Sequence, residues 1–218
     1  MKTLLDPNSS SLKVCGVTQM EDALALVELG VHGIGINFWP QSKRYLSPEE
    51  AVEILTAIEG QIVRVGVFVN ADPAVPLHLL DNGLIDVAQF HGDETPEYCA
   101  TFAEAGHTFI KAIGVKNKAS LKNITDYRAD AILLDTPAPG VYGGTGETFD
   151  WTHAQQFIQD HPGIPVLLAG GITPENASQA IAQVHPAALD VASGSEISPS
   201  VKDLNKVKKL LASLETEY

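Results

Sequence analysis

The chain has 218 residues, 44% of them hydrophobic and 19% charged, the composition of one globular domain with a sizeable core. Its net charge of −13 argues against nucleic acid and anionic membranes as partners, and no apolar run is long enough to span a bilayer. Two cysteines, Cys15 and Cys99, are too few for a disulfide framework and fit a reducing, cytoplasmic setting, and no closely spaced Cys/His set suggests zinc.

In chain order, residues 1–11 carry one Lys, one Asp and three consecutive serines with no apolar h-region, so they are expected to be a short, poorly ordered tail rather than a signal peptide. Residues 12–218 then alternate short strands with amphipathic helices. The first strand is expected at 13–16, followed by a helix capped by Thr18, with Glu21 completing a capping box and Gly30 as the stop. A second strand at 33–38 leads to a helix opened by Ser47, Pro48 and Glu50. Further strands are expected at 63–70, 87–91, 108–114, 131–135, 165–170 and 189–193. Thr173-Pro174 is expected to open another helix, and residues 201–214 form a basic amphipathic one at the end. Eight strand–helix units without a composition break predict parallel pairing and a single (β/α)₈ TIM barrel.

Side chains of adjacent strand residues point to opposite faces. One parity set, including Val14, Ile34, Ile36, Val65, Val67, Val69, Ala88, Phe90, Ile132 and Leu134, suits packing under helices. The other set holds Lys13, Cys15, Asn37, Arg64, Asn70, Gln89, His91, Lys111, Asp135 and Asp190, expected inside the barrel. Polar groups there must pair with each other or with a ligand. Lys13, Arg64 and Asp190 could form an ion network.

Cys15, His91 and Asp135 end their strands on the rim where barrel active sites lie, and His91 is assigned to substrate binding. Cys15 reads either as a buried small hydrophobe or as a thiolate base or nucleophile, while mid-helix Cys99 takes the packing role. Asp135 reads as a turn cap, an ion-pair partner, or a general acid in low-dielectric walls. Arg44 follows rim aromatics and is either a solvated loop residue or a bidentate clamp for a carboxylate. Gly143-Gly144-Thr145-Gly146 reads as a surface turn or a lid. Gly170-Gly171 and Ser193-Gly194 follow strands seven and eight, where backbone N–H groups commonly hold phosphate. Such fixed dipoles would let an acidic chain bind an anion.

Taken together, Lys13-Val14-Cys15-Gly16-Val17-Thr18, residues 38–48, Val65-Gly66-Val67-Phe68-Val69-Asn70 and Gln89-Phe90-His91-Gly92-Asp93-Glu94 resemble the phosphoribosylanthranilate isomerase family. Leu134-Asp135, residues 143–146, Phe149-Asp150-Trp151, Leu168-Ala169-Gly170-Gly171, Pro174-Glu175-Asn176 and Asp190-Val191-Ala192-Ser193-Gly194 continue the match in family order. Glu147, Ala192 and Ser200 depart from the usual pattern, and Glu147 puts the lid's charge in question. The resemblance implies an Amadori rearrangement in tryptophan biosynthesis, with Cys15 as general base, Asp135 as general acid and Arg44 on the anthranilate carboxylate. It also implies phosphate at the two glycine loops, no metal or redox cofactor, and a phosphorylated small molecule as the partner. The chain is expected to be a monomer or homodimer. Two other readings are a dual-substrate isomerase serving the histidine pathway too, and a non-catalytic barrel that binds a phosphorylated ligand. Cys15 and the lack of a half-chain repeat oppose the former; retention of both Cys15 and Asp135 opposes the latter.

Overall fold

The computed structural model describes residues 4–137 and 148–215. Eight parallel strands close into a barrel in sequence order: β1 (Ser11–Cys15), β2 (Gly33–Asn37), β3 (Val63–Phe68), β4 (Val87–Phe90), β5 (Phe109–Gly114), β6 (Ala131–Asp135), β7 (Val166–Leu168) and β8 (Ala188–Val191). The helices around them are α1 (Met20–Glu28), α2 (Pro48–Ala57), α3 (Ala74–Asp81), α4 (Pro96–Glu104), α5 (Thr152–Asp160), α6 (Ala177–Val184) and α7 (Leu204–Leu214). No described helix is long and apolar enough to cross a membrane.

Two apolar layers follow from strand alternation. Val65, Val87, Ile110, Ala112, Leu133 and Leu167 fill the barrel, while Val14, Ile34, Ile36, Phe90, Ile132 and Leu134 pack outward beneath the helices. Lys13, Gln89 and Asp190 enter the interior toward the C-terminal rim, where the interior fill gives way to a cavity, and Ser11 is buried at the start of β1.

The alternation of two strands is opposite to the expected one. In β3, Val65 belongs to the interior cluster and Val67 and Val69 line the cavity, so Arg64 points outward. Its guanidinium pairs with Asp86 at 2.7 Å and donates to the Leu55 carbonyl at 3.3 Å. In β5, Ile110 and Ala112 face inward, and Lys111 lies outside, bound to Gly92 O at 2.7 Å and Glu94 at 2.8 Å. A cation can be buried on either face if its donors are matched, so polarity alone did not identify the inner face. The expected ion network therefore contracts to Lys13 and Asp190. Asn70 lies past the end of β3, exposed and at φ 50°, with its Oδ1 accepting from Asp93 N.

Local signals fared unevenly. The Ser47–Glu50 capping box at α2 is present, and Gly30 ends the first helical unit at φ 76°. α1, however, starts after Gln19 with no side-chain cap, because Thr18 Oγ1 donates instead to the Ser200 carbonyl at 3.2 Å. Thr173-Pro174 forms a turn, and α6 begins only at Ala177. Asp203 caps α7 through the N–H groups of Asn205 and Lys206, leaving Val201–Lys202 (β10) to pair antiparallel with Glu196–Ser198 (β9). The fifth unit has two 3₁₀ turns, Lys118–Leu121 and Ile124–Tyr127, in place of an α-helix; Asn123 and Arg128 sit in left-handed conformations that interrupt the spiral. In the N-terminal segment, Leu4 is buried with the interior cluster against Gly33 while Pro7 and Asn8 are exposed, so the expected loose tail is anchored at Leu4. Burying one leucine supplies about 1.5–3 kcal/mol, which offsets the ordering of about one or two residues.

Candidate active site

Register builds the floor of the site. Lys13 and Asp190 are direct partners between β1 and β8, so both point inward and form a 2.7 Å ion pair in the barrel. Lys13 is completely buried. Burial opposes its charge, yet Asp190 and Cys15 hold the ammonium above the ordinary lysine range.

Cys15 follows Lys13 on the same inner face and stands opposite Gly35 of β2. A Cβ at Gly35 would lie 2.8 Å from Cys15 Sγ, so glycine makes room for the thiol. Burial pushes the Cys15 thiol up, with Lys13, Lys202 and Arg44 acting in the opposite direction. Burial outweighs the three cations, so the thiol is held above its ordinary range.

Those cations form a cluster at the rim. Arg44 Nε and Nη2 grip Glu196 at 2.7 and 2.6 Å, a bidentate pair, and Lys202 Nζ binds the same carboxylate at 2.8 Å. Lys202 also donates to the Cys15 carbonyl at 2.7 Å. Burial pushes Glu196 up, but Arg44 and Lys202 outweigh it and hold the carboxyl below its usual range. Desolvation lowers Lys202, and the hydrogen bonds to Glu196 raise Arg44. Two cations against one carboxylate leave one positive charge beside the cavity of an acidic chain.

Across the mouth, Asp135 ends β6 with Oδ1 accepting from Thr136 N at 2.7 Å and Oδ2 3.1 Å from His91 Nε2. His91 Nδ1 lies 2.9 Å from Gln89 Nε2. The loops after β7 and β8 close the remaining side. Gly170 and Gly171 take φ values of 79° and 62°, which L side chains rarely adopt. Ser193–Ser195 forms a short 3₁₀ turn, and a Cβ at Gly194 would overlap the Ile172 carbonyl oxygen. Glycine is therefore what lets the two loops touch backbone to backbone.

The cavity so formed has a volume of about 630 Å³. Of the residues singled out in the sequence, Cys15, Arg44, His91, Asp135, Gly170, Gly171 and Ser193 line it, while Gly194 supports it from behind. The glycine-rich segment 143–146 and Glu147 lie outside the described residues. His91 touches Asp135 and Gln89 as well as facing the cavity, a role sequence position did not suggest. Glu196 and Lys202 were missed altogether. Asp203 is a strong N-cap type, and reading it as the start of the last helix would have released Lys202 into the preceding turn.

Residues 12–213 match the family model described as N-(5'phosphoribosyl)anthranilate (PRA) isomerase. The chain is 43% identical over 204 residues to N-(5'-phosphoribosyl)anthranilate isomerase of Pseudomonas syringae pv. syringae, spanning 93% of this chain and 96% of that one. It superposes on phosphoribosyl anthranilate isomerase from Thermotoga maritima with a TM-score of 0.85 at 38% identity, covering 94% and 98% of the two chains. A structure of such an isomerase in complex with reduced 1-(o-carboxyphenylamino)-1-deoxyribulose 5-phosphate matches with a TM-score of 0.81 at 37% identity, again covering 94% and 98%.

Proposed function

The chain belongs to the N-(5'phosphoribosyl)anthranilate (PRA) isomerase family, and on that premise we propose which of its residues carry the reaction. It is an isomerase of L-tryptophan biosynthesis that converts N-(5-phosphoribosyl)anthranilate to 1-(2-carboxyphenylamino)-1-deoxyribulose 5-phosphate by an Amadori rearrangement. The observation that supports the assignment of roles is that Cys15, from β1, and Asp135, from β6, face one cavity. About 630 Å³ falls within the range of small-molecule sites.

Protonated Asp135 donates to the ribose ring oxygen as the C1–O bond opens and an iminium forms. Cys15, as thiolate, takes the proton from C2, giving an enolamine. Tautomerisation adds one proton at C1 and releases one from the C2 hydroxyl, so the protons balance. One acid and one base on opposite sides of the sugar suffice, each worth roughly 10²–10⁴-fold in rate.

Arg44 meets the anthranilate carboxylate. Nε and one edge of Nη2 are held by Glu196, so the guanidinium is fixed before substrate arrives and its remaining donors are available to the cavity. Phosphate sits at the loops of Gly170-Gly171 and Ser193-Gly194, where N–H groups and the start of the 3₁₀ turn supply positive dipoles without further side-chain charge. Cytoplasmic residence is part of the same proposal and is supported by the two free thiols, Cys15 and Cys99.

The test is to add N-(5-phosphoribosyl)anthranilate and follow its fluorescence. Rapid decay is expected with the wild-type chain. It should be nearly lost in Cys15→Ala and Asp135→Asn; full activity in either variant would remove that residue from the mechanism.

A further inference from the structure

Lys202 ends β10, and a register shift between Val201 and Lys202 sets it opposite Glu196 of β9. Its side chain is fully buried. A buried ammonium persists where its N–H groups are matched, and here Nζ donates to Glu196 Oε1 at 2.8 Å and to the Cys15 carbonyl at 2.7 Å. Glu196 does not need this partner for its charge, since Arg44 already meets it with two bonds of 2.7 and 2.6 Å. Lys202 is thus a second cation for one carboxylate, buried at a desolvation cost that the ion pair alone does not explain.

The contact with Cys15 gives that cost a reason. Cys15 is the last residue of β1, and the register between β1 and β8 stops one residue earlier, at Val14 opposite Val191. Beyond that end the ammonium takes the Cys15 carbonyl and so fixes the backbone from which the thiol projects. Its charge also opposes the effect of burial on the thiol, together with Lys13 and Arg44. The other two cations have competing calls on them. Lys13 is paired with Asp190, which itself raises the thiol, and Arg44 lines the cavity, where it meets a substrate carboxylate. Lys202 is outside the cavity lining, so it keeps its place beside Cys15 when substrate occupies the site.

We infer that Lys202 is a positioning residue for the base: from outside the cavity it holds the Cys15 carbonyl and sets a permanent ammonium against the thiolate. The β9–β10 hairpin thereby completes the base of β1. The inference rests on reading Cys15 as the general base. The other charged groups around Cys15 are Lys13 from its own strand, Asp190 from β8, Lys43 and Arg44 from the loop after β2, and Glu196 from β9. His91, after β4, and Asp135, from β6, border the same cavity, while β3 and the end of β7 present Val67, Val69 and Ala169. Around Lys202 itself, Asp22 of α1 accepts from its backbone N–H at 3.0 Å, and Lys206 of α7 donates to the Glu196 carbonyl at 2.7 Å.

Two single variants of the full chain, and their double, test it. Lys202→Met removes the cation, and Glu196→Gln breaks the same ion pair but keeps the cation, so a purely structural role predicts one outcome for both. The readouts are the pH dependence of Cys15 alkylation by iodoacetamide, scored by mass spectrometry on the Cys15 peptide so that Cys99 does not contribute, and the ascending limb of kcat/KM. Lys202→Met should move both midpoints up by about one pH unit, so that alkylation below the midpoint slows about tenfold. Glu196→Gln should leave both midpoints at or below their wild-type positions, although KM rises as Arg44 loses its anchor. If Lys202→Met fails to fold, the double variant is compared with Glu196→Gln. The two differ only at Lys202, and the double variant should alkylate with a midpoint about one unit higher. An alkylation midpoint that loss of Lys202 leaves unchanged would overturn the inference, as would one that Glu196→Gln raises as far as Lys202→Met does. Full activity of Cys15→Ala would instead refute the assignment of the base, while alkylation, which needs no turnover, would still report the effect of Lys202 on the thiol.

Discussion

Removing Glu196 by Glu196→Ala should strip the rim cluster of its one carboxylate. The side chain is almost wholly enclosed and receives Arg44 through two bonds of 2.7 and 2.6 Å and Lys202 through one of 2.8 Å. Deleting one partner of a buried ion pair typically costs about 3–5 kcal/mol, because the other charge stays behind without compensation. Here the cost falls mainly on Lys202, whose side chain is fully buried and, among the described residues, keeps only the Cys15 carbonyl. Arg44 is 15% exposed toward the cavity and recovers part of its hydration. The lower end of the range is therefore expected, about 3 kcal/mol, equivalent to a fall in Tm of about 6–12 °C for a domain of this size. The loss should depend on pH in a defined direction. Glu196 is held below the usual carboxyl range in the folded chain, so its contribution is present above the unfolded value and disappears as pH falls through the folded one. The gap in Tm between wild type and variant should be full near neutral pH and close below about pH 4. KM should rise with it, since Arg44 loses the contact that fixes its orientation. Thermal unfolding followed by circular dichroism at several pH values, beside initial-rate kinetics, tests all three. A variant within about 2 °C of wild type at neutral pH, or a gap that does not change with pH, would refute the ion-pair account.

Cys15→Ala and Asp135→Asn should each lower kcat by roughly 10²–10⁴ while product affinity, measured by fluorescence titration, changes little. Cys15→Ser should be poor too, because a hydroxyl gives almost no anion at neutral pH. Lys13→Met should leave Asp190 as an uncompensated buried carboxylate and cost about 3–5 kcal/mol in urea unfolding, with Lys13→Met/Asp190→Leu recovering most of it. Lys13 lowers the Cys15 thiol and Asp190 raises it, so the base limb of kcat should move to higher pH in Lys13→Met and less far in the double variant. Ser200 sits at φ 72°, and Ser200→Gly should raise stability by up to about 1 kcal/mol despite losing the exposed bond to the Lys43 carbonyl. A lower Tm in that variant would show that the hydroxyl outweighs the strain.

The barrel was legible in the chain because its signals are local. Short apolar runs and their turn residues repeat eight times, with a helix after every run but the fifth, and parallel pairing follows from that spacing. Cys15, Asp135 and the glycine loops could be placed on the rim for the same reason: each ends a strand, and all strands of a barrel end on one face. The inner face of β3 and β5 was not legible. Both strands are buried on two sides, so apolar residues alternate with nothing that marks one face, and Arg64 and Lys111 each find partners outside the barrel.

What the sequence determined by itself was the order and type of most elements and the positions of the groups at strand ends, since these depend on neighbours a few residues away. The tertiary structure alone decided which charges meet. Lys13 and Asp190 lie 177 residues apart, and Arg44 and Glu196 lie 152 apart, yet each pair is in direct contact. An ion pair depends on distance and burial in the folded chain, and barrel closure brings the first strand against the last. That closure joined the Arg44–Glu196–Lys202 cluster to Cys15 and linked Gln89 to Asp135 through His91, contacts that no local pattern encodes.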